Sequence, residues 1–179
     1  MTPKTVCLVI ALSVSTLLQA QNARVKPDWQ PLQFLVGEWV ADTGGGVPGQ
    51  AQRGEFSLLP DLQEHFLVRK NLAEYAATKD RPALHHEDLM IISADASGKP
   101  SHAEYFDNEG YEIHYSVQPS GDGNSVVFLG DTQPGAPRFR LSYKKIDADK
   151  IAGMFEIAPP GKPEEFAKYL DWIARRKGK

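Results

Sequence analysis

Cysteine is almost absent from this sequence of 179 residues, because Cys7 is the single one. It lies inside an apolar stretch near the N-terminus, Val6 to Leu18. The chain beyond that stretch can therefore form no disulfide, thiolate nucleophile or Cys-ligated zinc site. Because Cys7 lies within the apolar run and not after it, a lipoprotein anchor is not indicated.

A surplus of positive charge is also missing. The chain has 20 Lys and Arg against 23 Asp and Glu, which gives a net charge of −3, and without Lys4 the balance is 19 against 23, or −4. A nucleic-acid-binding domain needs a basic face, so this balance argues against nucleic acid as a partner. No basic amphipathic helix is visible to support binding at a membrane surface.

Several catalytic and metal-binding motifs are absent as well. There is no Gly-x-Ser-x-Gly elbow, and no His-x-x-x-His or His-Glu-x-x-His spacing. Three glycines, Gly44 to Gly46, lack the Lys-Ser/Thr of a P-loop and predict a flexible loop over residues 43–49. The densest set of metal-ligating types is His85 to Asp88, but adjacent strand residues point to opposite faces. We therefore predict no catalytic residue and no metal site.

The N-terminal stretch has the pattern of a secretory signal. Lys4 gives a short positive region, Val6 to Leu18 gives the apolar region, and Ala20 offers a small residue before Gln21. The apolar run is too short for a membrane span. The pattern predicts a signal peptide over residues 1–20 and an exported protein, periplasmic or extracellular.

The remainder fits one domain with a single core. Residues 21–36 form a polar, proline-bearing lead-in, in which Trp29 either closes a barrel floor as part of a short helical turn or lies on the surface. Short strands separated by turn signals follow and predict an antiparallel sandwich or barrel. The predicted strands cover residues 37–42, 52–58, 65–72, 86–94, 102–106, 111–117, 125–130, 138–146 and 151–157.

Two of these strands alternate clearly between apolar and polar residues. The alternation assigns one face of each to the interior. The predicted inward residues, and candidate ligand-binding residues, are Tyr111, Ile113, Tyr115, Phe139, Leu141 and Tyr143. Inward tyrosines give apolar walls with hydroxyl tips, which suit a mostly apolar ligand with one polar group, or they simply fill the core.

The string Phe34-Leu35-Val36-Gly37-Glu38-Trp39 resembles the Gly-x-Trp motif of the calycin superfamily, which includes lipocalins, fatty-acid-binding proteins and nitrobindin-like barrels. It is most similar to bacterial lipocalin-like domains of unknown function. The resemblance implies an all-β fold, a single antiparallel up-and-down β-barrel of about eight to ten strands over residues 37–179. It also implies a final strand, at about Lys168 to Lys177, that pairs with the first.

The C-terminal segment also has an alternative interpretation as a helix, since Phe166, Tyr169, Leu170 and Ile173 share a helical face. In the strand interpretation Arg176 points inward at a strand end. Pairing of the first and last strands would then bring the guanidinium to Trp39, next to Gly37, where it can stack on the indole. These three residues are the predicted barrel closure.

The resemblance implies a carrier that holds a small hydrophobic molecule inside the barrel. An enzyme of the isomerase or decarboxylase type and a filled barrel that binds a partner or serves a structural role are the alternatives. Nitrobindin-like relatives bind haem through a late histidine, but no histidine follows His114, which alternation points outward. His65 and His102 lie on predicted strands and could point inward, so haem could bind only through a residue outside the family pattern, and no cofactor is predicted. The oligomeric state is left open.

Overall fold

The computed structural model describes residues 25–43 and 51–178. The predicted signal peptide and most of the predicted glycine-rich loop lie outside the described residues. The described residues form ten strands, with bounds that differ from the predicted ones by no more than about three residues. They are β1 (Gly37–Ala41), β2 (Arg53–Asp61), β3 (Phe66–Tyr75), β4 (Leu84–Ala94), β5 (Pro100–Asp107), β6 (Glu112–Pro119), β7 (Ser125–Gly130), β8 (Arg138–Lys145), β9 (Lys150–Ala158) and β10 (Ala167–Arg176).

The ten strands close into one antiparallel barrel. Each strand pairs with its neighbour in sequence, and β1 pairs with β10 to complete the ring. The predicted up-and-down barrel is confirmed, and so is the strand interpretation of the C-terminal segment. A bulge between Lys168 and Leu170 shifts the β9–β10 register near the start of β10. The described part of the chain holds no helix with the length and hydropathy that a membrane span requires.

The start of β6 shows that the prediction of Tyr111 as an inward wall residue is wrong. Tyr111 precedes β6 and is 57% exposed, so it does not contribute to the interior wall. It belongs to the β5–β6 turn, where Gly110 has a φ of +91° and the Asp107 carboxylate accepts the backbone N–H groups of Glu109 and Tyr111. Alternation along β6 therefore begins only at Glu112, one residue after Tyr111, because the turn fixes the backbone up to that point.

The lead-in covers the end of the barrel at which β1 begins, here called the floor. A 3-10 turn, Gln30–Leu32, follows Trp29, and Leu32 and Leu35 are fully buried. The indole N–H of Trp29 donates to the carbonyl of Glu64 in the β2–β3 turn, at 2.8 Å. Trp29 is only 9% exposed, so it packs into the floor and is not a surface aromatic.

Aromatic side chains fill the half of the interior that is nearer to the floor. Trp39 stacks on Phe56 with 6.1 Å between ring centroids, and Phe56 meets Tyr143 at 5.6 Å. Tyr143 contacts Phe128 edge-on at 6.3 Å, and Phe128 contacts Tyr115 in the same way. All five are buried. This floor level is a packed core, stabilised by apolar burial and ring contacts.

The other half of the interior lies toward the end of the barrel at which β1 ends, here called the mouth. Its side chains are more accessible to solvent than those near the floor. Here the inward apolar side chains pack on the core but stay partly exposed, and they define the mouth level: Ile113, Phe139, Phe155 and Trp172. Phe139 stacks on Phe155 at 5.8 Å. The Trp172 indole lies against Gly153, where a Cβ would overlap the ring. The inward side chains are thus fully packed at the floor and partly exposed at the mouth.

Candidate functional site

A polar cluster lies between the floor level and the mouth level, and the register of three neighbouring strands assembles it. Asn71 on β3 is opposite Asp88 on β4, and Asp88 is opposite Asp107 on β5. Arg69 is opposite Met90, which places it diagonally next to Asp88. Since side chains two apart on a strand share a face, these residues converge inside the barrel.

The centre of the cluster is a buried ion pair. Arg69 is 5% exposed and donates from Nη1 to Oδ1 of Asp88, which is 9% exposed. Asn71 Nδ2 donates to the other carboxylate oxygen at 2.9 Å. Burial is the largest single effect and opposes both charges, but the partner's charge together with the other polar neighbours outweighs it, so the pKa of Arg69 is raised and that of Asp88 is lowered. The pair is therefore charged, and removal of either partner would leave a buried, unmatched ion.

His86 lies on the mouth side of this pair. Its Nε2 is 3.3 Å from Asp88 Oδ2, and its Nδ1 is 3.1 Å from Glu109 Oε1. The hydrogen bond to Asp88, and then that to Glu109, raise the pKa of His86 against the effect of burial. A protonated ring donates to both carboxylates, so neither nitrogen is left as a free base. The arrangement favours the protonated form of His86 and leaves neither ring nitrogen free to act as a general base.

Three tyrosine hydroxyls surround the pair. Tyr105 donates to Asp107 Oδ2 at 3.1 Å. Within the described residues, the hydroxyls of Tyr115 and Tyr143 have no hydrogen-bond partner of normal geometry, and neither has Arg69 Nε. Burial raises the pKa of each of the three tyrosines, so all three are neutral donors. Buried donors without acceptors are rare in folded proteins and mark a place for a water or a ligand atom.

The structure divides the remaining predicted wall residues between the two levels. Tyr115, Leu141 and Tyr143 belong to the packed floor level, with 5% exposure or less. Ile113 and Phe139 belong to the mouth level and are partly exposed. Only the last two therefore present apolar surface that a ligand can reach without repacking of the core, whereas the ring of Tyr115 is packed and its hydroxyl lies at the polar cluster.

The predicted closure residues meet at the floor. Trp39 and Arg176 are register partners of β1 and β10, and the guanidinium carbon is 4.5 Å from the centroid of the indole ring. The guanidinium also donates to the carbonyls of Val36 and Phe34, at 2.9 and 3.3 Å. Gly37 has a φ of +137°, and a Cβ there would overlap Arg176 Nη1. Gly37 thus provides both the backbone conformation and the space for the guanidinium.

The other histidines lie outside the barrel interior. His85 is exposed while His86 is half-buried, as expected for adjacent strand residues. His65 and His102 are exposed, so neither has the position of an internal haem ligand. His114 is exposed and lies beside Glu104, its register partner on β5.

A separate set of possible metal ligands converges on the outer face of β5 and β6. His114 contacts Glu104, and its Nε2 is 3.7 Å from Glu112. The three side chains are exposed, and their ligand atoms lie within 4.8 Å of one another. This set faces away from the interior cluster.

Sequence reasoning missed the interior cluster. Arg69 follows three consecutive apolar residues, Phe66 to Val68, so alternation does not assign its face. Asp88 is separated from Arg69 by the long 76–83 connection, which conceals the β3–β4 register. One feature of the sequence could have indicated the cluster. On β4, His86 and Asp88 are separated by two-residue steps from the buried Met90, so they lie on the same, inward face of the strand.

Comparison of the sequence with protein-family models and with curated proteins gives no match. The likeness to the calycins accordingly rests on the string Phe34 to Trp39 and on the architecture. A closed antiparallel barrel of ten strands is compatible with a calycin-like fold and with ligand binding.

Proposed function

We propose that this chain is an exported, calycin-like small-molecule carrier, which holds a mostly apolar ligand in the mouth level of the barrel. One observation carries this proposal: inward apolar side chains at the mouth are partly exposed, directly above a polar cluster with unpaired donors. Apolar walls with a few convergent polar groups are the usual composition of a small-molecule site. The lead-in covers the floor with buried side chains, so the proposed route of entry is the mouth.

The packed floor level limits the ligand to part of the barrel. Tyr143 contacts Phe56, Phe128 and Trp172, so it supports the site from below instead of lining it. The alternative of a completely filled barrel would require that the partly exposed mouth residues bind nothing. The alternative of an enzyme gains no support from His86, whose two ring nitrogens are engaged by carboxylates.

A neutral fluorescent probe tests the carrier proposal. N-phenyl-1-naphthylamine should bind saturably, one molecule per chain, with energy transfer from the partly exposed Trp172. Phe139→Ala should weaken binding while the circular dichroism spectrum is retained, because it removes apolar surface from the mouth. The matched control is Phe106→Ala, a residue on the outer face of β5 that is 39% exposed. Absence of saturable binding across a panel of apolar probes would favour the filled barrel.

Export is a separate part of the proposal, and it rests on the N-terminal pattern. Protein recovered from the periplasm or the medium should begin near Gln21 by N-terminal sequencing. Intact Met1 on soluble cytosolic protein would contradict it.

A further inference from the structure

The acceptor atoms of the interior cluster are already in use. Asp88 accepts from Arg69 on one oxygen, and from Asn71 and His86 on the other. Asp107 accepts the Tyr105 hydroxyl on Oδ2 and two backbone N–H groups of the β5–β6 turn on Oδ1. A ligand that enters the mouth therefore finds carboxylates whose hydrogen-bonding positions are largely occupied.

The groups that lack partners are donors. Within the described residues, no acceptor is hydrogen-bonded to Arg69 Nε or to the hydroxyl protons of Tyr115 and Tyr143. The indole N–H of Trp172, at the mouth level, likewise has no acceptor in that part of the chain. A ligand group that matches these atoms must accept hydrogen bonds, because satisfying a buried donor avoids its desolvation penalty.

The charges around the cluster do not favour an anion. Arg69 is matched by Asp88, and His86 is held between Asp88 and Glu109. With Asp107 included, these described residues carry three acidic side chains against two basic ones. A ligand carboxylate would find no unmatched cation and would be repelled by the acidic surplus in a medium of low dielectric. A ligand ammonium is itself only a hydrogen-bond donor. It would meet further N–H and O–H donors and carboxylates that are already occupied, so an ammonium is not favoured either.

We infer that the ligand presents an uncharged hydrogen-bond acceptor, such as a ketone, quinone or ester carbonyl, toward Trp172 and Tyr115, with its apolar part along Ile113 and Phe139. This inference deepens the proposed carrier function and depends on it. It distinguishes this barrel from one that uses a buried arginine to bind a carboxylate, because here Asp88 already neutralises Arg69.

A series of probes with the same alkyl chain tests the inference. Dodecane, methyl laurate, laurate and dodecylamine are titrated as competitors of N-phenyl-1-naphthylamine, at pH 7.5 and below their micelle concentrations. The ester should bind about tenfold or more tightly than laurate. It should also bind more tightly than dodecane and dodecylamine. Preference for laurate or for the amine, or equal binding of ester and dodecane, would overturn the inference.

Conservative variants separate hydrogen bonding from general apolar affinity. Trp172→Phe and Tyr115→Phe each remove one donor and keep an aromatic ring, so they should weaken ester binding roughly two- to tenfold and leave dodecane binding unchanged. Trp29→Phe at the floor is the matched control. Equal loss for ester and dodecane in Trp172→Phe and Tyr115→Phe would contradict a hydrogen-bonding role.

A charge variant tests the electrostatic step. Asp88→Asn leaves Arg69 unmatched, so the ester-to-laurate preference should shift toward laurate by about tenfold. Glu87→Gln, its exposed neighbour on the outer face of β4, should leave the preference unchanged. An unchanged preference in folded Asp88→Asn would refute the charge argument. If N-phenyl-1-naphthylamine itself does not bind, the carrier function fails; if it binds without ester preference, only this inference fails.

Discussion

Replacement of Arg176 by alanine tests whether one side chain stabilises the seam of the barrel, which is the pairing of β1 with β10. The guanidinium lies 4.5 Å from the Trp39 ring centroid and donates to the carbonyls of Val36 and Phe34, so it connects β10, β1 and the lead-in. A cation–π contact of this kind contributes about 0.5–2 kcal/mol. Hydrogen bonds from a charged donor contribute about 1.5–3 kcal/mol each when they are well buried.

The total expected for Arg176→Ala is smaller than the sum of these values, because the side chain is 24% exposed and partly screened. We expect a loss of roughly 2–4 kcal/mol in the free energy of unfolding. For a domain of this size that corresponds to a decrease of about 5–15 °C in Tm. Urea unfolding followed by fluorescence, with thermal melts by circular dichroism, measures both quantities.

Arg175→Ala is the matched control for this experiment. Arg175 forms an exposed ion pair with Asp42, with side-chain exposures of 57% and 42%, and such pairs contribute about 1 kcal/mol or less. Equal losses in the two variants would refute the closure argument. A double mutant with Gly37→Ala adds a second check, because the added methyl overlaps Arg176 and should cost less in the Arg176→Ala background.

Two further predictions concern the interior. Gly153→Ala should displace the Trp172 indole, cost about 1–3 kcal/mol and change the tryptophan emission, whereas Gly121→Ala, with open space around it, should do neither; equal effects would contradict the packing described. The raised pKa of His86 means that its stabilising contribution is complete below the unfolded value of 6.5 and is lost as the pH rises through the folded value. Denaturant titrations over pH 6–9 should show this decrease in wild type and in His85→Gln but a flatter profile in His86→Gln, and an unchanged profile would contradict it.

The fold was predictable because its signals are local. Two-residue alternation and turn residues such as Asp107 to Gly110 are read from neighbouring positions, and they locate the strands within a few residues. The closing strand required more: alternation along 168–177 competed with a helical pattern, and the resemblance to the calycins decided between them. The error at Tyr111 arose where a turn hydrogen-bond network overrode alternation.

The polar cluster was not predictable for a different reason. It depends on which residues of β3, β4 and β5 lie opposite one another, and register across the 76–83 connection is set by packing of the whole barrel. Alternation also predicts which side chains point into the barrel, but not how far along the barrel axis they lie. It therefore did not separate Ile113 and Phe139 at the mouth from the buried Tyr115. The accessible part of the site is therefore a property of the closed barrel and not of any single strand.

The meander topology has a consequence for the order of folding. Nine of the ten strand pairings join neighbours in sequence. The β1–β10 ladder has three paired positions, and the hydrogen bonds that Arg176 adds beside it span up to 142 residues. Closing such a loop in an unstructured chain costs on the order of 4 kcal/mol in entropy, so the hairpins should form first and the seam last. Interactions absent from the transition state slow unfolding without speeding folding. Stopped-flow measurements should accordingly show that Arg176→Ala accelerates unfolding and leaves the folding rate close to that of the wild type; a slower folding rate would place the seam in the nucleus.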